Sequence, residues 1–277
     1  MASEEIRIED ASATLPDRFI QEASPPPTNV IQLVHSPAII CQLIFWSGIG
    51  VLVRIGLLQL HTYSMAPVVA IVYPQIVGCV LMGWVDRNKS FFSKRHPNLQ
   101  VGLATGLCGS ITTFSSMTLA AYVEFAGINR NNRIVGDSLL GGLAVIGLNV
   151  GMANICIKVG SHLVDLFPCL NLDAYPERMK RKLEYLDTYL IDRLGPWLLA
   201  ALFSAVLYTV AISVAFAAES SSVLGHSIGF AVVFAPFGTL LRFYLSKFNA
   251  VIHGFPLGTF IGNMSRSDCH LYSFLIP

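Results

Sequence analysis

Charge is scarce in this chain. Asp, Glu, Lys and Arg together supply 13% of its 277 residues, about half the share a soluble domain carries. So few charges cannot clothe a surface that faces water on all sides. The net charge of +1 excludes a basic field for nucleic acid, and no acidic tail is present. Cysteine is sparse and unpatterned. Cys41, Cys79, Cys108, Cys156, Cys169 and Cys269 have none of the spacings of zinc sites or disulfide scaffolds, and four lie inside apolar runs as small buried side chains. No secretory leader is expected either, because the segment MASEEIRIEDASATLPDRFIQEASPPPTN has no basic stretch leading into a short apolar one. Residues 1–34 read instead as a disordered tail. No His/Asp/Glu cluster falls in the apolar runs, so neither acid–base nor metal-assisted catalysis has a set of residues to use, and an enzyme is not expected.

What the chain has instead is apolar length. Hydrophobic residues make up 53% of it, gathered in runs at about 37–60, 65–85, 99–125, 134–164, 195–218 and 223–248, with a seventh that starts at Phe255 and gives out after Met264. As helices the first six are long enough to cross a hydrocarbon layer roughly 30 Å thick. A buried soluble helix imitates one such run, but hardly six. The expected fold is an all-α integral membrane protein. The charged segment DAYPERMKRKLEYLDTYLIDR divides the first four runs from the rest, and its LEYLDTYL portion suits a short amphipathic surface helix.

Lys and Arg set the orientation. Arg87, Lys89, Lys94 and Arg95 follow the second run, and Arg178, Lys180, Arg181, Lys182 and Arg193 follow the fourth. Both loops share a side with the N-terminus, which carries Arg7 and Arg18, while the opposite side has only Arg130 and Arg133. The N-terminus is therefore expected in the cytoplasm.

The first and sixth runs resemble one another as GIGVLVRIGLLQL and PFGTLLRFYLSKF. Aligning Arg54 with Arg242 sets Gly50 against Gly238 and Leu52 against Leu240, and the same offset carries Gln75 onto Asn263, each 21 residues after its arginine. The fifth run lies between the copies, so the number of crossings before the repeat restarts is odd and the copies point in opposite directions, as in other inverted-repeat membrane folds. Shared membrane composition is the competing explanation.

Polar residues inside these runs are expensive and therefore informative. Arg54 and Arg242 suit either interfacial anchoring by snorkelling or the drawing of anions into a water-filled vestibule. The stretch GLCGSITTFSSM, from Gly106 to Met117, makes a poor continuous helix, because glycine uncovers the backbone and Ser and Thr compete for its hydrogen bonds. Broken backbone at membrane depth survives only against protein or a wet cavity. Freed carbonyls there suit a cation, and freed amides and hydroxyls an anion; a Ser/Thr packing face between close helices is the plainer alternative. Gln75, Asn149 and Asn154 fit either a polar path or interhelical glue, Lys158 and His162 read as boundary residues, and Phe114 reads as core or as a ring edge on a narrow route.

These segments, together with QIVGCVLMGW and FPLGTFIGN, resemble the fluoride channel family in its eukaryotic two-repeat form, over about 45–263. The resemblance implies inverted four-helix repeats joined by a linker transmembrane helix: a first repeat at 35–165, a cytoplasmic connector at 166–194, the linker at 195–218 and a second repeat at 223–277. It implies a passive fluoride path along Phe114, Met117, Gln75, Asn263, Thr113 and Ser115, served by Arg54 and Arg242, and a structural sodium ion on the backbone carbonyls of Gly109 and Thr112. It also implies fluoride export across the plasma membrane. The family's second ring is Met117 here, its asparagine is Gln75 in the first copy, and its glutamate is Ala120, with Glu124 one turn on. The second repeat reads as incomplete, since MSRSDCHLYSFLIP follows Asn263 where further helices are expected. Besides fluoride, sodium and the lipid bilayer, a second chain completing those helices is therefore an expected partner. A non-conducting truncated product, or another small-ion transporter with inverted repeats, are the alternative functions.

Overall fold

The computed structural model describes residues 37–60, 69–128, 135–174, 196–217 and 223–250, together with 257, 258 and 261. The expected tail, most of the connector and its surface helix, Arg130, Arg133, Asn263 and Cys269 lie outside the described residues.

The described residues are helical, and no strand occurs among them. Pro37, whose fixed φ suits a first helical turn, opens α1 (Pro37–Gln59). Helix α2 (Val72–Arg87) carries Pro74 in its first turn, where the missing N–H breaks no helical bond. A turn at Asn88 leads into α3 (Lys89–Arg95) and α4 (Pro97–Val101), and α4 continues through a π-helical segment, Gly102–Cys108, into α5 (Gly109–Ile111). Two extended residues, Thr112 and Thr113, then separate α5 from α6 (Phe114–Ala126). Gly127, at φ 64°, ends α6 in the left-handed conformation, with its N–H on Glu124 O and the Ile128 N–H on Val123 O. The remaining helices are α7 (Val135–Leu166), α8 (Pro196–Ala217) and α9 (Val223–Leu245), the last containing Pro236.

Among the described residues, three helices are long and apolar enough to cross a membrane: α1, α7 over Gly136–Leu166, and a segment from α9 onward, Ile228–Asn249. A shorter apolar stretch, Ala200–Ser213, lies within α8. Large apolar side chains stand exposed along these helices, among them Leu140, Leu143 and Ile155 on α7, Phe203 and Val206 on α8, and Phe234 and Phe237 on α9. Such a surface would aggregate in water and is matched by hydrocarbon.

Contacts fix the relative directions. Along α2 and α7, Val80 meets Gly160 and Arg87 meets Asp165, so the two run parallel. Along α6 and α7, Phe125 meets Gly142 and Gly127 meets Ser138, while Met117 and Phe114 lie near Asn149 and Asn154, so these two run antiparallel. Helix α1 runs beside the α4–α5 stretch in the same direction, from Gln42 near Gly102 to Gly50 near Ser110. It also runs beside α8 in the same direction, from Phe45 near Phe203 to Val51 near Ala211.

The ends of α2 and α7 are fastened at one face. Asn88 is buried, and its Nδ2 donates to Trp84 O at 3.0 Å and Leu170 O at 3.2 Å, while its Oδ1 accepts from Leu172 N at 2.8 Å. Trp84 Nε1 donates to the same Leu170 carbonyl at 3.1 Å, and Arg87 pairs with Asp165 at 2.7 Å. Beneath this corner Val85, Phe91, Phe92, Leu103 and Cys108 form a buried cluster, with the Phe92 ring edge-on to Trp84 at 5.9 Å. The second cluster, Val51 with Ala211, Val232 and Ala235, joins α1 to α8 and α9.

Candidate functional site: the helix break at Thr112 and Thr113

The expected interruption falls at Thr112, at φ −73° and ψ 144°, and Thr113, at φ −144° and ψ 115°. Side chains take over the bonds that the helix gives up. Thr112 turns its hydroxyl back to Cys108 O at 2.9 Å, a carbonyl that also accepts the Thr112 N–H at 3.0 Å. Thr113 caps α6: its Oγ1 accepts from Ser116 N at 3.3 Å, donates to Ser116 Oγ at 3.1 Å and lies 3.2 Å from Ser115 Oγ. Thr residues favour such positions because their hydroxyls compete well for exposed backbone groups. The π-helical turn just before the break belongs to a class of local unwinding that concentrates at functional sites.

A cavity of about 270 Å³ opens beside the break. Gln75 lines it from α2, Thr112 and Thr113 from the break itself, and Phe114 and Met117 from α6. Asn149, Val150, Ala153 and Asn154 line it from α7, and Arg242 reaches it from α9. Liquid water takes about 30 Å³ per molecule, so the space accommodates several. Phe114 is 37% exposed, which removes it from the core and leaves its ring on the cavity wall. Met117 lines the same wall but is itself buried.

The amides on α7 are held by their own helix. Asn149 Nδ2 donates to Val145 O at 2.8 Å and Asn154 Nδ2 to Val150 O at 2.9 Å. That leaves Asn149 Oδ1 buried without a protein partner, an acceptor that calls for a donor from the cavity. Both asparagines stand out in sequence as amides in an otherwise apolar helix, yet pattern alone does not separate a wall of the cavity from interhelical glue.

Of the residues expected along the path, Gln75, Thr113, Phe114, Met117 and Arg242 meet at one cavity. Ser115 is buried beside Thr113 but does not line the space. Arg54 is half-buried on α1, also outside the lining. Asn263 falls outside the described residues. Arg242, read from sequence as an anchor or a vestibule residue, instead reaches the break: its Nη1 donates to Gly109 O at 3.0 Å. Ser110 Oγ and Thr239 Oγ1, 3.2 Å apart, join α5 to α9 beside that contact.

That contact bears on the sodium expected at the carbonyls of Gly109 and Thr112. The Gly109 oxygen already faces a guanidinium, and a second cation about 4 Å away would be repelled by on the order of 4 kcal/mol at the effective dielectric typical of proteins. The residues present therefore do not fit a sodium ion held at Gly109.

Residues 41–160 match the family model described as CrcB-like protein, Camphor Resistance. The chain is similar to fluoride export protein 1 of Candida albicans, 29% identical over 275 residues that cover 94% of this chain and 66% of that protein. It is similar to fluoride export protein 1 of Neurospora crassa, 30% identical over 81% of this chain and 51% of that protein. It is also similar to the fluoride-specific ion channel FluC 1 of Lactiplantibacillus plantarum, 32% identical over 108 residues, 37% of this chain and 87% of that protein. The chain thus spans between about half and two thirds of the length of the fungal relatives it matches. No solved structure matches it.

Proposed function

This chain belongs to the CrcB-like family, and from that membership we propose that it lets fluoride leave the cytoplasm passively through the plasma membrane, giving fluoride resistance. The observation that carries the reading is the single cavity at the helix break, where Gln75, Thr113, Phe114, Met117 and Arg242 converge. The names of the relatives, fluoride export protein and fluoride-specific ion channel, agree with it.

The chemistry follows from what fluoride needs. Hydrogen fluoride enters a cell as a neutral acid and ionises inside, which traps the anion. To leave, fluoride must exchange a tightly held hydration shell for protein contacts that are close but individually weak enough to release it. The Thr113 hydroxyl, which donates to Ser116 Oγ, can turn to donate to the anion instead, the Phe114 ring offers the positive edge of its quadrupole, and the Arg242 guanidinium offsets the cost of an anion at low dielectric. No covalent step is involved.

The same reading sets the N-terminus in the cytoplasm, from the Lys and Arg bias of the loops. The Arg87–Asp165 pair supports it, since it holds the ends of α2 and α7 at one face. The inverted arrangement is supported by the course of α8. That helix runs alongside α1 in the same direction, and five residues separate it from α9, so α9 returns the opposite way.

The test is efflux from liposomes holding the purified chain, read with a fluoride electrode. Fluoride release without matching chloride release is expected. Release no faster than from protein-free liposomes, or equal release of both anions, would overturn the proposal.

A further inference from the structure

We infer that the Arg242 guanidinium is itself the resident cation of the helix break, so that this chain needs no sodium ion there. The inference deepens the fluoride reading above, and its flux measurement rests on that reading.

Three observations converge on it. First, Arg242 Nη1 donates to Gly109 O at 3.0 Å, the carbonyl at which the family resemblance puts a metal ion. Second, Gly109 has an ordinary helical backbone, φ −68° and ψ −22°, which any residue adopts. Its lack of a side chain is explained by the neighbour instead, because a methyl group there would run into the Arg242 guanidinium. Third, the position of α9 is pinned. Ser110 and Thr239 are both buried and share a hydroxyl contact at 3.2 Å. Arg242 lies three residues after Thr239, on the same face of the helix, so this contact sets the rotation that aims the arginine at Gly109.

The substitution makes chemical sense. A carbonyl that would bind a hard cation also accepts a charged N–H, and arginine stays protonated at any working pH. Unlike a diffusible ion, a tethered charge cannot be lost or exchanged. It also lines the same cavity as Gln75, Thr113 and Phe114, which puts the charge on the proposed anion route. A lysine supplies the charge but not the planar fork.

The purified full chain is to be compared in sodium chloride and in N-methylglucamine chloride, by thermal unfolding in detergent and by fluoride efflux from liposomes. Unfolding midpoints within about 1 °C of each other are expected, because an ion that bound only the folded state would raise the midpoint by mass action. Efflux is expected to be equal in the two salts. R242Q should cut efflux roughly ten- to a hundredfold, the range implied by losing one charge-assisted hydrogen bond, and R242K should restore part of it. G109A keeps the arginine but displaces it, so it should show a similar loss and serves if R242Q does not fold. A midpoint several degrees higher in sodium, efflux that requires sodium, or wild-type efflux from both R242Q and G109A would overturn the inference. Absence of fluoride efflux from the wild type in both salts would overturn the conduction reading instead. The unfolding comparison would then decide the inference by itself, equal midpoints supporting it and a sodium-dependent rise overturning it.

Discussion

An alanine at Gly160 should destabilise this protein, whereas an alanine at Gly147 or Gly151 on the same helix should not. At Gly160 a methyl group would meet the Val80 carbonyl, and from the opposite helix a methyl group at Gly83 would meet the Ile157 carbonyl. Both obstacles are main chain and cannot rotate aside, so α2 and α7 would have to separate. Overpacking costs roughly 1–3 kcal/mol, and a rigid backbone obstacle belongs at the upper end. Separation also stretches the bond from Ser161 Oγ to Gly83 O, 3.2 Å long, a contribution of about 1 kcal/mol. The better helix propensity of alanine returns about 1 kcal/mol, leaving a net loss of about 3 kcal/mol. Nothing lies within 4 Å of a methyl group at Gly147 or Gly151, so only the propensity gain remains there. The predicted difference between the two kinds of site is about 3–4 kcal/mol, more than a hundredfold in the folding equilibrium. Denaturant titration of the purified variants in detergent, followed by tryptophan fluorescence, measures it. A Gly160→Ala variant within about 0.5 kcal/mol of Gly147→Ala, inside the ordinary scatter of surface substitutions, would refute the close crossing. Gln75 on α2 and Asn149 on α7 are walls of one cavity, so the destabilised variant should also leak chloride.

Other outcomes are expected. Phe114→Ile should lower fluoride efflux more than it lowers the yield of folded protein, because the ring lines the cavity; equal losses in liposome flux and in gel-filtration yield would make it a packing residue. Asn149→Val removes a buried acceptor that has no protein partner, so stability should change by less than about 1 kcal/mol and efflux should not fall, because fluoride cannot donate to that oxygen; a marked fall in liposome flux would mean that a water bridging Asn149 Oδ1 serves the route. Cysteines placed at Arg87 and Asp165 in an otherwise cysteine-free chain should be joined by a short bifunctional thiol reagent, since the native side chains reach each other at 2.7 Å; labelling that put the two on opposite faces of the membrane would contradict the shared end of α2 and α7. Arg87→Ala itself should cost no more than about 1 kcal/mol, as befits a pair whose side chains are each 49% exposed.

Apolar length was enough to find most helices. The expected run at 37–60 is α1, and those at 134–164, 195–218 and 223–248 lie within a few residues of α7, α8 and α9. The run at 65–85 begins earlier than α2, which starts at Val72, and its first residues lie outside those described. The break was legible as well, because glycine, serine and threonine announce a conflict between helix and backbone at Thr112 and Thr113. Neighbours were not legible. In a membrane both the lipid-facing and the packed sides of a helix are apolar, so no periodicity marks which side of α7 meets α2. Gly147 and Gly160 therefore read alike, although only one touches another backbone. Arg242 is visible as an arginine in an apolar run, but its partnership with Gly109 depends on a hydroxyl contact 129 residues apart in sequence.

Two extended residues also divide one helical path into two shorter dipoles. The carbonyl end of α5 and the amide end of α6 carry opposite partial charges, and here they abut within a single residue pair. Arg242 sits against the negative end, so the field that remains at Thr113 and Phe114 is the positive one. Were the guanidinium moved to the other side of that pair, the same cavity would favour cations.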